Sequence, residues 1–302
     1  MSNAFPILTV AICTYNRADK LGTCLNSLKR QIVHQDCFDI LIIDNNSTDN
    51  TQFVIKNSLN LFPHIKAVKE YRQGLSNARN RALKECLTSW IAFLDDDAKA
   101  HPDWVSTILT TIQKNDFDAF GGPYYAWHPY GPAPSWLPKD FGTYESPQGY
   151  GLLQGDTFIP GGNCVLRSDV ARRIGTFSIE LGMNGSLCGY GEETQFFERM
   201  RTAGYRMGYV PQLKIDHCVL PYKYTLRWQL HSAFISGRDF IRFQHSLGKN
   251  VSSIRQITEL IKYSIKNIKN FFIHKPSIAL FIYTKCIIHR IGCIIESLSS
   301  KG

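Results

Sequence analysis

The sequence has no Cys-x-x-Cys pair, and its nine cysteines are odd in number. Several of them lie in apolar, strand-like runs, which is typical of reduced thiols in a core and argues against a disulfide framework or a structural zinc site. The first apolar run leads into the polar Thr14-Tyr15-Asn16-Arg17, so it does not have the form of a secretory signal. These absences favour a cytoplasmic protein.

Net positive charge is concentrated in the last part of the chain. The net charge is +9, but residues 238–302 hold eleven Lys and Arg against three Asp and Glu, which accounts for +8 of it. We therefore expect no nucleic-acid partner, because the basic character belongs to the tail. A hydrophobic content of 44% and a charged content of 20% indicate an ordinary globular protein.

Short apolar runs alternate with helix patterns over the first hundred residues. The strand-like runs are residues 7–13, 39–43, 65–68 and 91–94. Helix patterns cover residues 18–31 and 74–87. A third predicted helix begins at a cap formed by Ser47 or Thr48 and runs toward Asn60. Strands that alternate with helices of ten or more residues form βαβ units and a parallel sheet. The sequence thus predicts an α/β fold.

Acidic side chains follow two of the predicted strands. Asp95, Asp96 and Asp97 end the run that begins at Ile91, and Asp44 ends the second strand. Open α/β sheets bind ligands beyond the carboxyl ends of their strands, and adjacent carboxylates repel one another unless a cation such as Mg²⁺ or Mn²⁺ neutralises them. We therefore expect a metal site, with a solvated acidic turn as the alternative for the triplet and a turn or capping role as the alternative for Asp44.

No glycine-rich phosphate loop of the form Gly-x-Gly-x-x-Gly or Gly-x-x-x-x-Gly-Lys-Ser/Thr occurs in the chain. The phosphates of a bound nucleotide would then need another source of positive charge. A metal ion on the acidic triplet would supply it.

Several motifs come in the order and spacing of the family 2 glycosyltransferases. They are Thr14-Tyr15-Asn16-Arg17, Asp44-Asn45-Asn46-Ser47-Thr48-Asp49, Gly74-Leu75-Ser76-Asn77-Ala78-Arg79-Asn80, Phe93-Leu94-Asp95-Asp96-Asp97, Pro160-Gly161-Gly162-Asn163, Gly191-Glu192-Glu193 and His217. The chain resembles this family over roughly residues 7 to 240. The resemblance implies a GT-A (Rossmann-like) fold with a mostly parallel central sheet and flanking helices, which we place in residues 5–237, before a basic amphipathic helical tail in residues 238–302.

The resemblance also implies a role for each matching residue. The expected nucleotide contacts are Thr14, Asn16, Arg17, Asp44 at the uracil or its equivalent, and Asp95 and Asp96 near the ribose and diphosphate. The expected metal ligands for Mn²⁺ or Mg²⁺ are Asp97, Asp95 and His217. Arg79 would support the diphosphate or brace the acidic loop, and a surface salt bridge is its alternative role.

Glu193 matches the position of the family's catalytic base, where the family usually has Asp, and Glu192 is the second candidate. Two glutamates in the first turn of a helix are favoured by the helix dipole whatever else they do. The resemblance implies metal-dependent, inverting transfer of a hexosyl or N-acetylhexosaminyl group from a nucleotide-sugar donor, such as a UDP-sugar, to a hydroxyl of a glycan or lipid-linked acceptor in surface polysaccharide synthesis. The alternatives are a nucleotidyltransferase and a non-catalytic, membrane-associated sugar-nucleotide binder.

Aromatic residues crowd together with glycine and proline between residues 121 and 162. Aromatic rings stack on sugar faces, so Tyr125, Trp127 and Trp136 are candidates for contact with the acceptor or the donor sugar. A locally packed aromatic cluster is the alternative.

The tail contains a predicted amphipathic helix from Asn250 to Phe272, with isoleucines on one face and basic residues on another. A second apolar stretch, from Ile278 to Thr284, is interrupted by Lys285 and is too short to span a bilayer. A basic amphipathic pair suits an anionic membrane surface, which would make the protein peripheral on the inner face of the membrane. The alternative is a helical hairpin that packs on the catalytic domain or joins two copies in a homo-oligomer.

Overall fold

The computed structural model describes residues 6–185, 187–267 and 276–299, and the chain divides into two compact units. The first unit consists of the residues up to Trp127, Gly142–Ile179 and Phe196–Cys218. The second unit consists of His128–Phe141, Glu180–Gln195 and the residues from Val219 onwards.

Eleven strands lie in the part of the first unit that the structure describes. They are β1 (Leu8–Thr14), β2 (Asp39–Asp44), β3 (Ile65–Lys69), β4 (Trp90–Leu94), β5 (Ala98–Ala100), β6 (Ala119–Gly121), β7 (Tyr124–Trp127), β8 (Gly151–Leu152), β9 (Asn163–Arg167), β10 (Met207–Tyr209) and β11 (Ile215–Cys218). The helices of this unit are α1 (Ala18–Lys29), α2 (Thr51–Ser58), α3 (Leu75–Glu85), α4 (Trp104–Lys114) and α5 (Ser168–Ile174). Helix α6 (Glu192–Thr202) has its first four residues in the second unit and the others in the first.

The main sheet has eight strands in the order β3-β2-β1-β4-β9-β6-β10-β8. Strand β1 pairs in parallel with β2 and β4, and β2 pairs in parallel with β3. Strand β9 runs antiparallel to β4 and β6. Helices connect the first four strands, which is how parallel neighbours are joined, and the predicted α/β sheet is confirmed.

Helices cover both faces of this sheet because successive side chains of each strand point to opposite faces. Val10 and Ile12 of β1 pack in one buried cluster with Trp104 of α4, whereas Ala11 packs in a second cluster with Ala78 of α3. The nearly continuous apolar run of β1 is therefore required, since both of its faces are buried.

A second sheet has the order β5-β11-β7. Strand β11 is antiparallel to β5 and parallel to β7, with His217 opposite Ala98. The next residue back, Asp216, lies opposite Lys99 and Tyr125, so Asp216 and His217 point to opposite faces of this sheet. Because β5 begins directly after the acidic triplet, this pairing brings β11 beside the triplet.

Helix α2 begins at Thr51, after Asn50, and the predicted cap at Ser47 or Thr48 is wrong. The Ser47 hydroxyl instead accepts a hydrogen bond from the backbone N–H of Asn16 at 3.0 Å, and the Thr48 N–H donates to Asn16 Oδ1 at 2.8 Å. Short polar side chains that cap helices bond neighbouring loops equally well. Here they join the loop that follows β1.

The second unit contains α7 (Leu226–Ser246), α8 (Ser253–Asn267) and α9 (Pro276–Ser299). Helix α8 corresponds to the helix predicted over residues 250–272, of which residues 268–272 lie outside the described residues. The boundary predicted between residues 237 and 238 falls inside α7. The division into a catalytic domain and a tail stays a prediction.

The last apolar stretch is longer than predicted. Within the described residues, Ile278–Ser299 is the one helical segment that is long and apolar enough, by length and composition alone, to cross a membrane. Lys285 does not end the helix, since lysine is a good helix former and α9 continues to Ser299. Its Nζ donates to Gln229 Oε1 of α7 at 3.0 Å. The expectation that this stretch is too short to span a bilayer is therefore wrong.

Candidate active site

The loops after β1 and β2 are joined at the carboxyl edge of the sheet. Thr14 and Asp44 are opposite each other at the ends of the two strands. Asn16 has a positive φ of 50°, which asparagine tolerates better than most residues, and its side chain and backbone bind the loop after β2. Three residues predicted to contact the nucleotide are thus brought to one place.

Asp44 is buried, and its Oδ1 accepts a hydrogen bond from the backbone N–H of Ser47 at 2.9 Å. The following residue, Asn45, accepts from the N–H of Gly74 at 2.8 Å and donates to the carbonyl oxygen of Arg72 at 2.7 Å. Asp44 therefore has the turn role considered from the sequence, and its contact with a base stays a prediction. Sequence reasoning missed Asn45, although a buried amide directly after a strand was the available signal.

Asp95, Asp97 and His217 form a compact group whose ligand atoms all lie within 4.8 Å of one another. His217 Nε2 is 3.3 Å from Asp97 Oδ1 and 4.0 Å from Asp95 Oδ2. The Asp97 side chain is 7% exposed and that of Asp95 is 37% exposed, so solvent reaches the group from the Asp95 side. Two carboxylates and an imidazole are a donor set that fits a divalent ion such as Mn²⁺ or Mg²⁺.

Asp96 is not a member of this group and instead faces Arg17, with 3.8 Å between Arg17 Nε and Asp96 Oδ1. Burial and the neighbouring Asp97 carboxylate raise the pKa of Asp96 to about 8, and Arg17 opposes this shift. The buried Thr14 hydroxyl is close enough to favour the carboxylate form, but it makes no hydrogen bond of normal length and angle. The structure thus groups Asp96 with the residues predicted to contact the nucleotide.

Gly162 lies directly against Asp95. A methyl group on the Gly162 Cα would overlap the Asp95 carboxylate, and the Asp95 N–H donates to the Gly162 carbonyl oxygen at 3.3 Å. A larger residue at position 162 would therefore displace the Asp95 carboxylate.

Asn163, the residue after this glycine, joins three chain segments. Its Oδ1 accepts from Trp104 Nε1 at 2.9 Å. Its Nδ2 donates to the carbonyl oxygens of Pro123 at 3.0 Å and Leu213 at 2.8 Å. Asn163 is fully buried, and sequence reasoning assigned it no such role. A polar residue at the start of an apolar strand was the available signal.

Arg79 is buried, with its guanidinium carbon 5.9 Å from the centre of the Phe93 ring and 5.6 Å from that of Phe177. The alternative of a surface salt bridge is therefore wrong. Its contact with Phe93 of β4 agrees with the expected role of supporting the acidic loop that follows this strand. A contact of Arg79 with the diphosphate stays a prediction.

Tyr125 and Trp127 lie on the face of the small sheet that points away from His217. Lys99 Nζ sits 3.8 Å from the centre of the Trp127 ring and 3.4 Å from Asp216 Oδ2. Asp216 is in turn the residue opposite Tyr125. These contacts favour the alternative of a locally packed cluster for both aromatic residues.

Tyr124, which sequence reasoning did not single out, is an aromatic residue on the same face as His217. The two ring centres are 5.9 Å apart, and the ring of Tyr144 lies 5.7 Å from Tyr124. The alternation of side chains along β7 was the signal that separates Tyr124 from Tyr125. In the second unit, Trp136 packs against Phe281 of α9 with ring centres 5.0 Å apart.

Glu192 and Glu193 begin α6 and belong to the second unit, whereas the acidic triplet belongs to the first. Glu192 is buried, and a methyl group on Gly182 would lie 2.6 Å from its Oε2. Glu193 is partly exposed. Of the two carboxylates, Glu193 is the more accessible to a substrate hydroxyl.

The segment that precedes α6 is anchored to α7. The backbone N–H of Tyr190 donates to Asp239 Oδ2 at 2.9 Å, and the Tyr190 hydroxyl lies 2.5 Å from Ser232 Oγ. Asp239 and Ser232 are two turns apart and share a face of α7, and burial raises the pKa of Asp239. Sequence reasoning missed these contacts because the partners are more than forty residues apart.

Comparison with known sequences places the first part of the chain in a known group. Residues 9–175 match the family described as Glycosyl transferase family 2. The succinoglycan biosynthesis protein ExoM of Rhizobium meliloti is 27% identical over 261 residues, which cover 85% of this chain and 80% of ExoM. Glycosyltransferase AglE of Haloferax volcanii is 23% identical over 230 residues, which cover 76% of this chain and 72% of AglE.

Two solved structures share the fold. The mannosyltransferase PcManGT from Pyrobaculum calidifontis, in complex with GDP-Man and Mn²⁺, has a TM-score of 0.65 at 14% identity, covering 99% of this chain and 89% of PcManGT. S. aureus TarS 1–349 in complex with UDP-GlcNAc has a TM-score of 0.58 at 14% identity, covering 97% of this chain and 91% of the TarS chain. At this identity the likeness shows the fold alone, and it confirms the predicted GT-A fold.

Proposed function

Because the chain belongs to glycosyl transferase family 2 and is a glycosyltransferase, we propose that it catalyses metal-dependent, inverting transfer of a sugar. The donor is a nucleotide-diphosphate sugar, and the acceptor is a hydroxyl of a glycan or lipid-linked molecule. The observation that carries the proposal is the group of Asp95, Asp97 and His217 beyond the carboxyl end of β4. Family membership decides against the nucleotidyltransferase and the non-catalytic binder.

Asp95, Asp97 and His217 would hold the divalent ion. Their carboxylate and imidazole donors are compatible with both Mn²⁺ and Mg²⁺, and the imidazole favours Mn²⁺. When bound, the ion would act as a Lewis acid that neutralises the diphosphate leaving group. The residues themselves are held by backbone pairing, since the N–H of Cys218 donates to the carbonyl oxygen of Asp97 at 3.0 Å.

The nucleotide would lie along the joined loops after β1 and β2. Thr14, Asn16 and Asp44 would contact the base and ribose there, while Asp96 and Arg17 would lie beside the ribose and diphosphate. We propose a UDP-sugar as donor, through contact of Asp44 with uracil. Among proteins of this fold, TarS is solved with UDP-GlcNAc and PcManGT with GDP-Man, so both UDP- and GDP-sugars are tested as donors.

Glu193 would be the catalytic base. It would accept the proton of the acceptor hydroxyl as the hydroxyl oxygen attacks the anomeric carbon from the face opposite the diphosphate, so that one displacement inverts the configuration. A single displacement needs one base and no enzymic nucleophile. Glu192 is less suited to this role because its carboxylate is packed against Gly182.

The proposed biological role is the synthesis of surface polysaccharide. ExoM, named for succinoglycan biosynthesis, supports this role, and ExoM and this chain match over most of both lengths. We expect the enzyme to act in the cytoplasm or at the inner face of the membrane, where nucleotide sugars are present.

The proposal is tested with a panel of UDP- and GDP-sugars in Mg²⁺ or Mn²⁺, scored by release of nucleoside diphosphate and by transfer to acceptor. Asp97→Ala should abolish transfer and weaken metal-dependent nucleotide binding. Glu193→Gln should lower transfer by roughly 10²–10⁴-fold while leaving donor binding intact, because it removes only the base. The exposed Asp156→Ala and Glu180→Gln are matched controls that should retain activity. Transfer that survives either active-site substitution would remove that residue from its proposed role.

A further inference from the structure

Helix α9 presents an apolar stripe to the outside of the second unit. Leu280, Ile295 and Leu298 are exposed, Leu298 by 59%, and the partly buried Ile287 and Ile291 lie between them. Steps of seven, four, four and three residues put these five side chains on one face of the helix. In the most apolar 18 consecutive residues of Ile278–Ser299, only 22% are buried inside the protein.

Two of the three charged side chains in the described part of α9, those of Lys285 and Glu296, point inward toward α7, and the third, Arg290, contacts α8. Glu296 is buried and accepts hydrogen bonds from Arg238 Nε at 2.6 Å and Arg242 Nε at 2.9 Å. Lys285 donates to Gln229 of α7. A helix of a water-soluble domain usually has the reverse arrangement, with the apolar face inside and the charges in water.

Helix α8 has the same arrangement. It contacts α9 through polar groups, since Ser253 bonds Ser297 at 3.0 Å and Gln256 bonds Arg290 at 3.1 Å. Its isoleucines at positions 254, 257 and 261 are exposed, Ile254 by 76%. Polar groups therefore join the two helices, while an apolar face of each helix is exposed. Ala279, Phe281 and Cys293 are apolar residues of α9 that are buried.

Small residues bring α7 and α9 into close contact. A methyl group on Gly237 of α7 would overlap the backbone of His289, and one on Gly292 of α9 would overlap the backbone of Phe234. Close backbone approach at small residues and polar contacts between helices, with an apolar face exposed, are features found in helices that contact lipid.

We propose that the exposed apolar faces of α8 and α9 form a surface that binds the anionic face of a membrane. The charge of the segment supports this partner, because residues 249–275 contain six Lys and Arg against the one acidic residue Glu259. In α8, Arg255 and the exposed Lys262 flank the isoleucines, where they would meet lipid phosphates.

A second copy of the chain fits this surface less well. Two copies joined through it would bring two basic segments together, and like charges repel at such an interface. Crossing of the membrane by α9 is also disfavoured, because its contacts would draw Arg238 and Arg242 of α7 into the hydrocarbon. The surface therefore suits a helix pair that lies in the membrane interface, and this inference does not depend on the catalytic proposal.

Flotation of the full-length protein with vesicles tests the surface. We expect binding to vesicles of phosphatidylcholine with phosphatidylglycerol and much weaker binding to phosphatidylcholine alone. The double substitution Ile257→Glu with Ile261→Glu should lower the partition coefficient by on the order of tenfold or more, because two apolar side chains leave the lipid. Lys262→Glu should lower it by about fivefold for each unit of charge changed.

The control is Ile32→Glu, at an isoleucine that is 70% exposed in the first unit and should not alter flotation. Because all substituted residues are exposed, thermal unfolding and hydrolysis of donor in solution should stay unchanged, which shows that the variants are folded. Equal flotation of the wild-type protein and the double variant would overturn the proposal. So would a dimer in light scattering that the double substitution dissociates, in a protein that binds no vesicles.

Discussion

Replacing Asn163 with alanine removes a side chain that joins three separate chain segments. Its amide oxygen accepts from the indole of Trp104 on α4, and its amide nitrogen donates to Pro123, before β7, and Leu213, before β11. Gly162, which contacts Asp95, is its neighbour in sequence. The substitution therefore tests whether this buried amide holds the candidate metal ligands in place.

The expected cost follows from the hydrogen bonds that are lost. Asn163→Ala leaves one N–H and two carbonyl oxygens without this partner in a fully buried site. The Pro123 carbonyl oxygen still accepts from the N–H of Ile215 at 3.4 Å, so two of the three groups are left unsatisfied. Each unsatisfied buried group costs about 1–3 kcal/mol, so we expect a loss of roughly 2–6 kcal/mol. Since domains of this kind are stable by only about 5–15 kcal/mol, this loss approaches the whole margin.

Urea unfolding followed by circular dichroism measures this loss. Trp104→Phe removes only the hydrogen bond from the indole N–H to Asn163, so it should cost less than Asn163→Ala. The unsatisfied amide oxygen of Asn163 should cost about 1–3 kcal/mol, to which the smaller volume of the phenylalanine ring adds a packing loss. The double variant should cost less than the sum of the two single variants, since they share one bond. The exposed Asn60→Ala should leave stability unchanged.

Titration of Mn²⁺ by electron paramagnetic resonance measures the effect on the metal group. We expect weaker Mn²⁺ binding in the folded fraction of Asn163→Ala. A loss of stability below about 1 kcal/mol, with Mn²⁺ affinity unchanged, would refute the reasoning that this amide organises the site.

Two further substitutions probe the surroundings of the site. Gly162→Ala should weaken Mn²⁺ binding because its methyl group would displace the Asp95 carboxylate. The control is Gly22→Ala in α1, where no atom lies within 4 Å of the added methyl group. This control should stabilise the protein by about 0.5–1 kcal/mol. Mn²⁺ affinity that is equal in Gly162→Ala and wild type would contradict this. Asp239→Ala should lower kcat with little change in donor affinity, because the segment before Glu193 loses its anchor at Tyr190. Asp239→Asn keeps an oxygen that can accept the hydrogen bond from the Tyr190 N–H, so its kcat should be close to that of the wild type. A change in donor affinity alone would argue against that role.

Local sequence was enough to predict the first four strands and the edge at which polar residues gather. Continuous apolar runs are buried on both faces, and their ends are where acids and amides begin, so β1, β2 and β4 were predictable from composition and order. The same holds for the close approach at Gly162, which a glycine pair before a strand indicates.

The family resemblance implied that Asp95 and Asp97 are the metal ligands, but residue type and spacing alone could not predict the separation of Asp96 from them, because three identical neighbours have no local difference. It is decided by β5, which starts at Ala98 and pairs with β11, so that Asp95 and Asp97 meet His217 while Asp96 meets Arg17. Pairing between distant strands likewise separates Tyr124, beside His217, from Tyr125.

Sequence by itself determined the α/β character, the family resemblance and the identity of the acids, because these depend on residue type, spacing and order along the chain. Only the tertiary structure decided which side chains share a site and which faces of α8 and α9 remain exposed. The physical reason is that hydrogen bonds such as that between Asn163 and Trp104, or between Glu296 and Arg238, join residues tens of positions apart. Their formation depends on the packing of whole elements, to which the local pattern at either partner contributes little.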